Sequence, residues 1–569
     1  MKKLLILGLS MMFVLLSSAK PISMAKARQI AAGQLRKPLV ETQLPLSLRK
    51  RMVASSADTP AFYVFNAKEK NAGFVVVSGD DEMPELVGYS DVGNFPEDVE
   101  MPPALADFLA FYSQYVSDVR AGVAEPPLPR SKRQAPRIVK SPLLSSRFGQ
   151  DAPYNNLCLD SHKLLCPCGC VATAAAQIMH YWQWPQQSGA QNGYDWSVVY
   201  PTTEENLASE EVSQTIAQIC RDIGSAVDMN YTPTGSGAHS NKLVNALVQR
   251  FNFLPTTIRQ HYRICSASAE EWFDMIAREL AANRPVYYSA VSTTGSGRDA
   301  GGHAFVVDGC NESGFVHVNW GWDGQFNGDY DIAMLNPQAY NFVEDQSIIT
   351  GIQPNRSGVT GMPTDYMQLR GVPEYTGAAT FRNSLEFKIN FSGLYNMTAN
   401  THNWEYTVGI FDTSLKLLGT IHTDRSLPSA ALNTFYYLPE VTINCKLNAY
   451  SDGEYVLRVI FREKGATDWM LPDVVGGQME NMIPVRIANK KVTMYAEDVE
   501  IITGIDRVNV DDNAQLSSLN SYPSSRIAVY SLNGQVLYTG DAEGLSLSGL
   551  KEHGVLIVKQ GNSVRKILR

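Results

Sequence analysis

Three separated stretches hold the side chains best suited to nucleophilic chemistry. In Gly169-Cys170-Val171-Ala172-Thr173-Ala174-Ala175-Ala176-Gln177-Ile178-Met179-His180, the apolar positions Val171, Ala174, Ala175, Ile178 and Trp182 recur at helical spacing, which sets Cys170 at or just before a helix start. Unpaired N–H groups and the positive end of a helix dipole lower a thiol pKa, and the thiolate is the nucleophile. A cysteine among small residues is equally the pattern of a buried core thiol. A nucleophilic thiol needs a base, which can come from far along the chain. Gly301-Gly302-His303-Ala304-Phe305-Val306-Val307-Asp308-Gly309 puts a histidine at the head of an apolar strand, after glycines that let a substrate backbone approach; a satisfied core histidine is the plain alternative. Asn319-Trp320-Gly321-Trp322 ends the next strand. There an asparagine can accept the imidazole N–H and fix its tautomer, while a tryptophan keeps water from that bond. Each piece is weak alone, and the order Cys, His, Asn gives the three their weight.

The elements that must position these groups follow from patterning. A helix over 171–184, stopped by Pro185, precedes strands at Val286–Ala290, His303–Asp308 and Phe315–Trp320, which predicts an α+β domain from about 134 to 354. Upstream, 22–49 reads as a short helix and connector, 62–65 and 73–77 as strands, and 104–119 as an amphipathic helix. Pro126, Pro127 and Pro129 then lead into Arg130, Lys132 and Arg133, an exposed linker open to proteolysis, so 20–133 is expected to form a small removable unit. A plain interdomain loop has the same composition. Downstream, period-two alternation at 385–391 and 455–462 predicts a β-sandwich over 360–500, and strands at 526–530, 535–538 and 554–559 a small β-module over 504–569. Lys2 and Lys3, the apolar run Leu4–Leu16 and the small residues Ser17, Ser18 and Ala19 form the three-part layout of a secretory signal over 1–19. The chain has 569 residues, 44% hydrophobic and 18% charged, with net charge −9, which excludes wholesale disorder and a nucleic-acid footprint.

Through Gly169-Cys170-Val171-Ala172-Thr173-Ala174, Gly301-Gly302-His303-Ala304-Phe305-Val306 and His317-Val318-Asn319-Trp320-Gly321-Trp322, residues 134–354 resemble the streptopain family of papain-like cysteine proteases. The resemblance implies Cys170 as nucleophile, His303 as general base and acid, and Asn319 with Trp320 as the orienting and shielding pair. Gly149-Gln150-Asp151-Ala152-Pro153-Tyr154-Asn155 is similar to the family's oxyanion stretch, with Gln150 as side-chain donor; Phe148 stands where relatives carry Trp. Substrate-backbone contacts are implied at Gly302 and in the loop 231–237, at Ser236 and Gly237. Residues 61–89 are similar to the family's inhibitory pro-domain, which implies a zymogen whose own N-terminal unit is a partner, with the mature start near Gln134. The segments 526–538 and 554–568 resemble the C-terminal sorting domain by which Bacteroidetes-type bacteria export proteins across the outer membrane, so a secretion apparatus is a possible partner and the expected location is extracellular or on the cell surface.

The whole is read as α+β: a papain-like catalytic domain preceded by a small α+β pro-domain and followed by β-sandwich modules, acting on protein or peptide substrates without cofactor, metal or nucleic acid. Two rivals stand beside it: a host-binding adhesin with a vestigial protease domain, and a cysteine amidase or acyltransferase. Of the eight cysteines, Cys158, Cys166 and Cys168 crowd ahead of Cys170; their spacing is not that of a zinc ribbon, and Cys158 is expected to pair with Cys166 or Cys168.

Overall fold

The computed structural model describes residues 20–52, 59–97, 99, 101–127, 138–186, 193–200, 202, 204–263, 266, 269–291, 302–331, 346–361, 367–382, 386–397, 401–423, 429–432, 437–474, 478–496 and 499, with four strands between 526 and 568. The secretory signal, the linker residues Arg130, Lys132 and Arg133, the expected mature start at Gln134, and Gly301 lie outside the described residues.

The N-terminal segment is α1 (Met24–Leu35), β1 (Leu39–Glu41), α2 (Leu46–Arg51), β2 (Phe62–Ala67), β3 (Phe74–Ser78), β4 (Leu86–Ser90) and α3 (Pro103–Arg120). The alternation in β2 serves two faces: Phe62 and Val64 join one core, while Tyr63 and Phe65 pack under α1. Pro103 at the first turn starts α3 where its missing N–H costs nothing. At the other end, Arg120 clasps Asp80 at 2.8 Å and the Gly79 carbonyl at 2.8 Å, fastening α3 to the β3–β4 turn.

The central region contributes α4 (Cys170–Trp182), two single-turn helices α5 (Trp196–Val199) and α6 (Glu204–Leu207), then α7 (Glu210–Ala226), α8 (Asn241–Gln249) and α9 (Ala269–Ala281). Its strands are β5 (Arg259–Tyr262), β6 (Val286–Val291), β7 (Gly302–Cys310), β8 (Val316–Asn319), β9 (Gly328–Tyr330) and β10 (Ser347–Thr350). These join the N-terminal strands in one sheet of order β1-β2-β3-β4-β9-β8-β7-β6-β10-β5. The seam is β4 against β9, antiparallel, with Gly88 opposite Tyr330 and Tyr89 opposite Asp329. One face of the sheet carries α3 and α9 over a core that mixes Phe74, Phe95 and Phe108 with Phe305, Trp320, Phe326 and Tyr330. The opposite face carries α4, α7 and α8 over Ala304, Val306 and Tyr287.

Beyond 366, a five-stranded and a seven-stranded sheet among the described residues close on one apolar core around Trp404, Ile389, Ile443, Val459 and Val485. Its long strands, Glu386–Asn396, His402–Phe411, Tyr437–Lys446 and Gly453–Glu463, extend the alternation read from sequence. The strands Arg526–Tyr530, Val536–Asp541, Val555–Gln560 and Ser563–Leu568 form a further antiparallel sheet. Among the described residues no helix is long and apolar enough to cross a membrane.

Candidate active site

Cys170 is the first residue of α4, and the backbone before it has one workable sequence. Gly169 has φ 86°, and a Cβ there would lie 2.7 Å from Met229 Sδ and 3.1 Å from the Ser236 carbonyl oxygen. The tight approach brings the loop 231–237 against the start of the helix. That loop is closed by Asn230 and Gly237, which exchange N–H···O bonds of 2.9 and 3.2 Å, and the Ser236 hydroxyl is buried without a partner.

Part-buried Cys170 faces β7 on the side of Ala304, both packing with the α4 core. Burial pushes its thiol up from the usual value; the N–H groups of Ala304, Val171 and Cys170 itself pull the other way. The depression expected from the helix start is therefore present but outweighed.

His303 sits on the opposite face of β7. Strand alternation puts it with Phe305, whose ring stacks on the imidazole at 6.4 Å, and Trp322 closes over it edge-on at 5.3 Å. Its Nε2 is 2.9 Å from the Trp320 carbonyl oxygen. Burial pushes its pKa down to about 4, against a smaller upward pull from that carbonyl. Among the described residues no hydrogen bond joins His303 to Cys170. The ring is neutral at neutral pH, so a nitrogen facing a carbonyl must be the protonated one.

Asn319 and Trp320 are also buried, with work other than that expected of them. Asn319 donates from Nδ2 to the Ser146 carbonyl at 2.8 Å and accepts the Gly321 N–H at 3.2 Å, and among the described residues no hydrogen bond joins its side chain to the imidazole. Trp320 offers His303 its carbonyl, while its indole packs on Phe305 at 4.7 Å and Tyr330 at 5.4 Å and donates to the Phe326 carbonyl at 3.1 Å. The indole against His303 is that of Trp322.

Gln150 follows a stretch fastened to α4, and its carbonyl accepts the Cys168 N–H at 2.9 Å, tying it beside the loop that enters the helix. A Cβ on Gly149 would fall 2.2 Å from Asp323 Oδ1. Burial and the neighbouring Asp151 push the Asp323 carboxyl up. Gly302, exposed, opens β7 opposite Val291. The structure thus brings Cys170, Gln150, Ser236 and Gly237 to one end of α4 and holds His303 across the strand. Trp322, Gln177 and Asp323 were not singled out by motif; Gln177 carried a signal, being a polar residue two turns past Cys170 on the same helix face, in a helix otherwise rich in alanine and other apolar residues.

The thiols ahead of Cys170 are unpaired, contrary to the disulfide expected of Cys158. Cys158 is buried in the core under α4 and α7, Cys166 Sγ lies 3.3 Å from the Leu164 carbonyl, and Cys168 Sγ lies 3.1 Å from Thr173 Oγ1.

Residues 148–330 match the model of the Peptidase C10 family, and residues 19–116 that of the Spi protease inhibitor. Streptopain of Streptococcus pyogenes is 32% identical over 345 residues, 51% of this chain and 80% of that protein. The thiol protease/hemagglutinin PrtT of Porphyromonas gingivalis is 27% identical over 92% of this chain, which spans 62% of PrtT's length. Among solved structures, a Cys-to-Ala mutant fragment of Prevotella intermedia prointerpain A is 30% identical with a TM-score of 0.44, covering 55% of this chain and 99% of that one. Active interpain A is 32% identical with a TM-score of 0.33, covering 38% of this chain and 95% of that one. The chain belongs to the Peptidase C10 family of cysteine proteases, with a Spi-type inhibitor segment ahead of the peptidase region.

Proposed function

We propose that the chain is a secreted cysteine endopeptidase held latent by its own pro-domain, and the observation that carries this reading is the place of His303. Its imidazole is bonded to the Trp320 carbonyl on the face of β7 away from Cys170, and the groups that hold Trp320 there are themselves gripped by the N-terminal segment. Phe95 meets Phe326 at 5.1 Å, and Phe74 and Phe108 meet Tyr330 at 6.5 and 6.2 Å. Phe326 and Tyr330 are the partners of the Trp320 indole. Removing the N-terminal segment strips this support and leaves His303 free to turn toward Cys170.

Once there, His303 takes the thiol proton, and the thiolate attacks a peptide carbonyl carbon. The carbonyl oxygen gains charge at the end of α4, where the Gln150 amide and the Cys170 N–H donate to it. Imidazolium protonates the leaving amine, the C–N bond breaks, and a thioester remains. His303 then deprotonates water, which attacks the thioester and restores the thiol. Gly302, Ser236 and Gly237 take the substrate backbone. The boundaries 20–133, 134–354, 360–500 and 504–569, and export by the signal at 1–19 and the C-terminal module, belong to the same proposal.

Iodoacetamide labelling of Cys170 before trypsin treatment, and after trypsin has cut the basic linker and the N-terminal segment has been separated from the rest, tests latency directly. A rate at least tenfold higher after separation is expected; equal rates with the N-terminal segment gone contradict it.

A further inference from the structure

Gln177 is fully buried on α4, two turns beyond Cys170 and on the same face as Cys170 and Thr173. Its Oε1 accepts two hydrogen bonds, from the Phe148 N–H at 3.2 Å and the Ser146 hydroxyl at 3.3 Å. Thr173, one turn nearer the thiol, stands 3.4 Å from the Gly149 carbonyl as donor, and Asn319 donates to the Ser146 carbonyl at 2.8 Å. The stretch 146–149, which delivers Gln150, is therefore fastened at three points to the nucleophile's helix and to the end of β8. The other end of the Gln177 side chain does nothing comparable: Nε2 is buried with no partner. A fully buried amide with one unpaired end is costly, so its used end needs a reason.

We propose that Gln177 is a positioning residue for the oxyanion donor, its side-chain carbonyl fixing the backbone of 146–148 so that the Gln150 amide stands at the Cys170 end of the same helix. The proposal rests on the peptidase reading above. An oxyanion donor displaced by a fraction of an ångström loses most of its effect on kcat while substrate still binds. Alkylation of a thiol by iodoacetamide passes through no oxyanion, so it is blind to that displacement.

The asymmetry of the amide supplies the test. Gln177→Met keeps the length and removes the acceptor; Gln177→Glu keeps the acceptor, and burial keeps its carboxyl neutral at acid pH. The full-length chain, nicked in the linker by trypsin and then freed of it, is assayed for peptide hydrolysis and for alkylation at Cys170. Gln177→Met is expected to lower kcat about ten- to a hundredfold, with KM and the alkylation rate within about threefold of wild type. Gln177→Glu is expected to recover most of that loss at pH 5 and to lose it again as the pH rises and an unpaired buried carboxylate forms against the 146–148 stretch. An unchanged kcat in Gln177→Met, or a parallel fall in kcat and alkylation, overturns the proposal by showing no role or a structural one. If Gln177→Met does not fold, the Gln177→Glu pH profile decides, and a profile parallel to wild type overturns it. A wild-type chain that alkylates at Cys170 yet hydrolyses no peptide overturns the peptidase reading itself.

Discussion

His303 and Cys170 are both neutral in this form because each is withdrawn from water without the other as partner. An exposed histidine titrates near 6.5, and His303 near 4. Any state that frees the ring takes up a proton first, so the latent form loses stability as the pH falls from about 6.5 toward 4. Relative to His303→Asn, the wild-type chain should lose about 2 kcal/mol between pH 7 and pH 5, measured by urea denaturation. A gap that stays constant over that range contradicts the buried neutral ring. The place of Cys170 at a helix start was legible because Gly169 and the helical stripe mark the start of α4. The partner of Asn319 was not, because strand order sets which residues are near and leaves open which carbonyl an amide chooses. Ser146, 173 positions away, becomes its acceptor only when the 146–150 stretch lies along α4.

At the scale of elements, the β4–β9 seam is where the inhibitor segment meets the peptidase. A Cβ on Gly88 would fall 2.6 Å from the buried Tyr330 ring, so Gly88→Val overpacks the seam by about 1–3 kcal/mol. Linker cleavage of the full chain should then run several-fold faster than wild type, followed by gel electrophoresis; an unchanged rate would show that the seam does not hold latency. Within the peptidase, a bulge in β7 between Val307 and Gly309 puts Asp308 against His317, Nδ1 to Oδ1 2.6 Å, while Asp308 Oδ2 accepts the Leu144 N–H at 2.9 Å. Burial pulls His317 down, but Asp308, by charge and hydrogen bond, and Asp329 raise it above its usual value. Its contribution to stability is thus complete below about pH 6.5 and fades as the pH climbs through the raised value, the opposite sign from His303. His317→Ala should cost on the order of 2–4 kcal/mol at pH 6, less at alkaline pH, by the same denaturation. Patterning marked β2, β3, β6, β7 and β8 but not β1, β4, β5, β9 or β10, and the bulge leaves no mark of its own, so the Asp308–His317 pair was hidden.

For the whole molecule, the order of units along the chain was readable from Pro-rich breaks and changes of period, but not that β1–β4 and β5–β10 make one sheet. That continuity depends on the short β9, three residues whose role is set by Tyr330 reaching both Trp320 and Phe108. The sandwich beyond 366 has a core of its own, and Arg259–Asp473, 3.7 Å apart and both exposed to solvent, is the kind of ion pair that contributes under about 1 kcal/mol. A chain ending at 359 is accordingly expected to hydrolyse casein within about twofold of the full chain, and a tenfold loss would give the sandwich a part in catalysis. The most direct measurement compares the chain lacking residues 1–19 with its Cys170→Ala variant under reducing conditions, following casein hydrolysis and the N-terminus of any product. Cleavage near Arg133 together with casein hydrolysis, both absent in Cys170→Ala, is the predicted result. An intact wild-type chain that remains inactive after trypsin has cut the linker would contradict it.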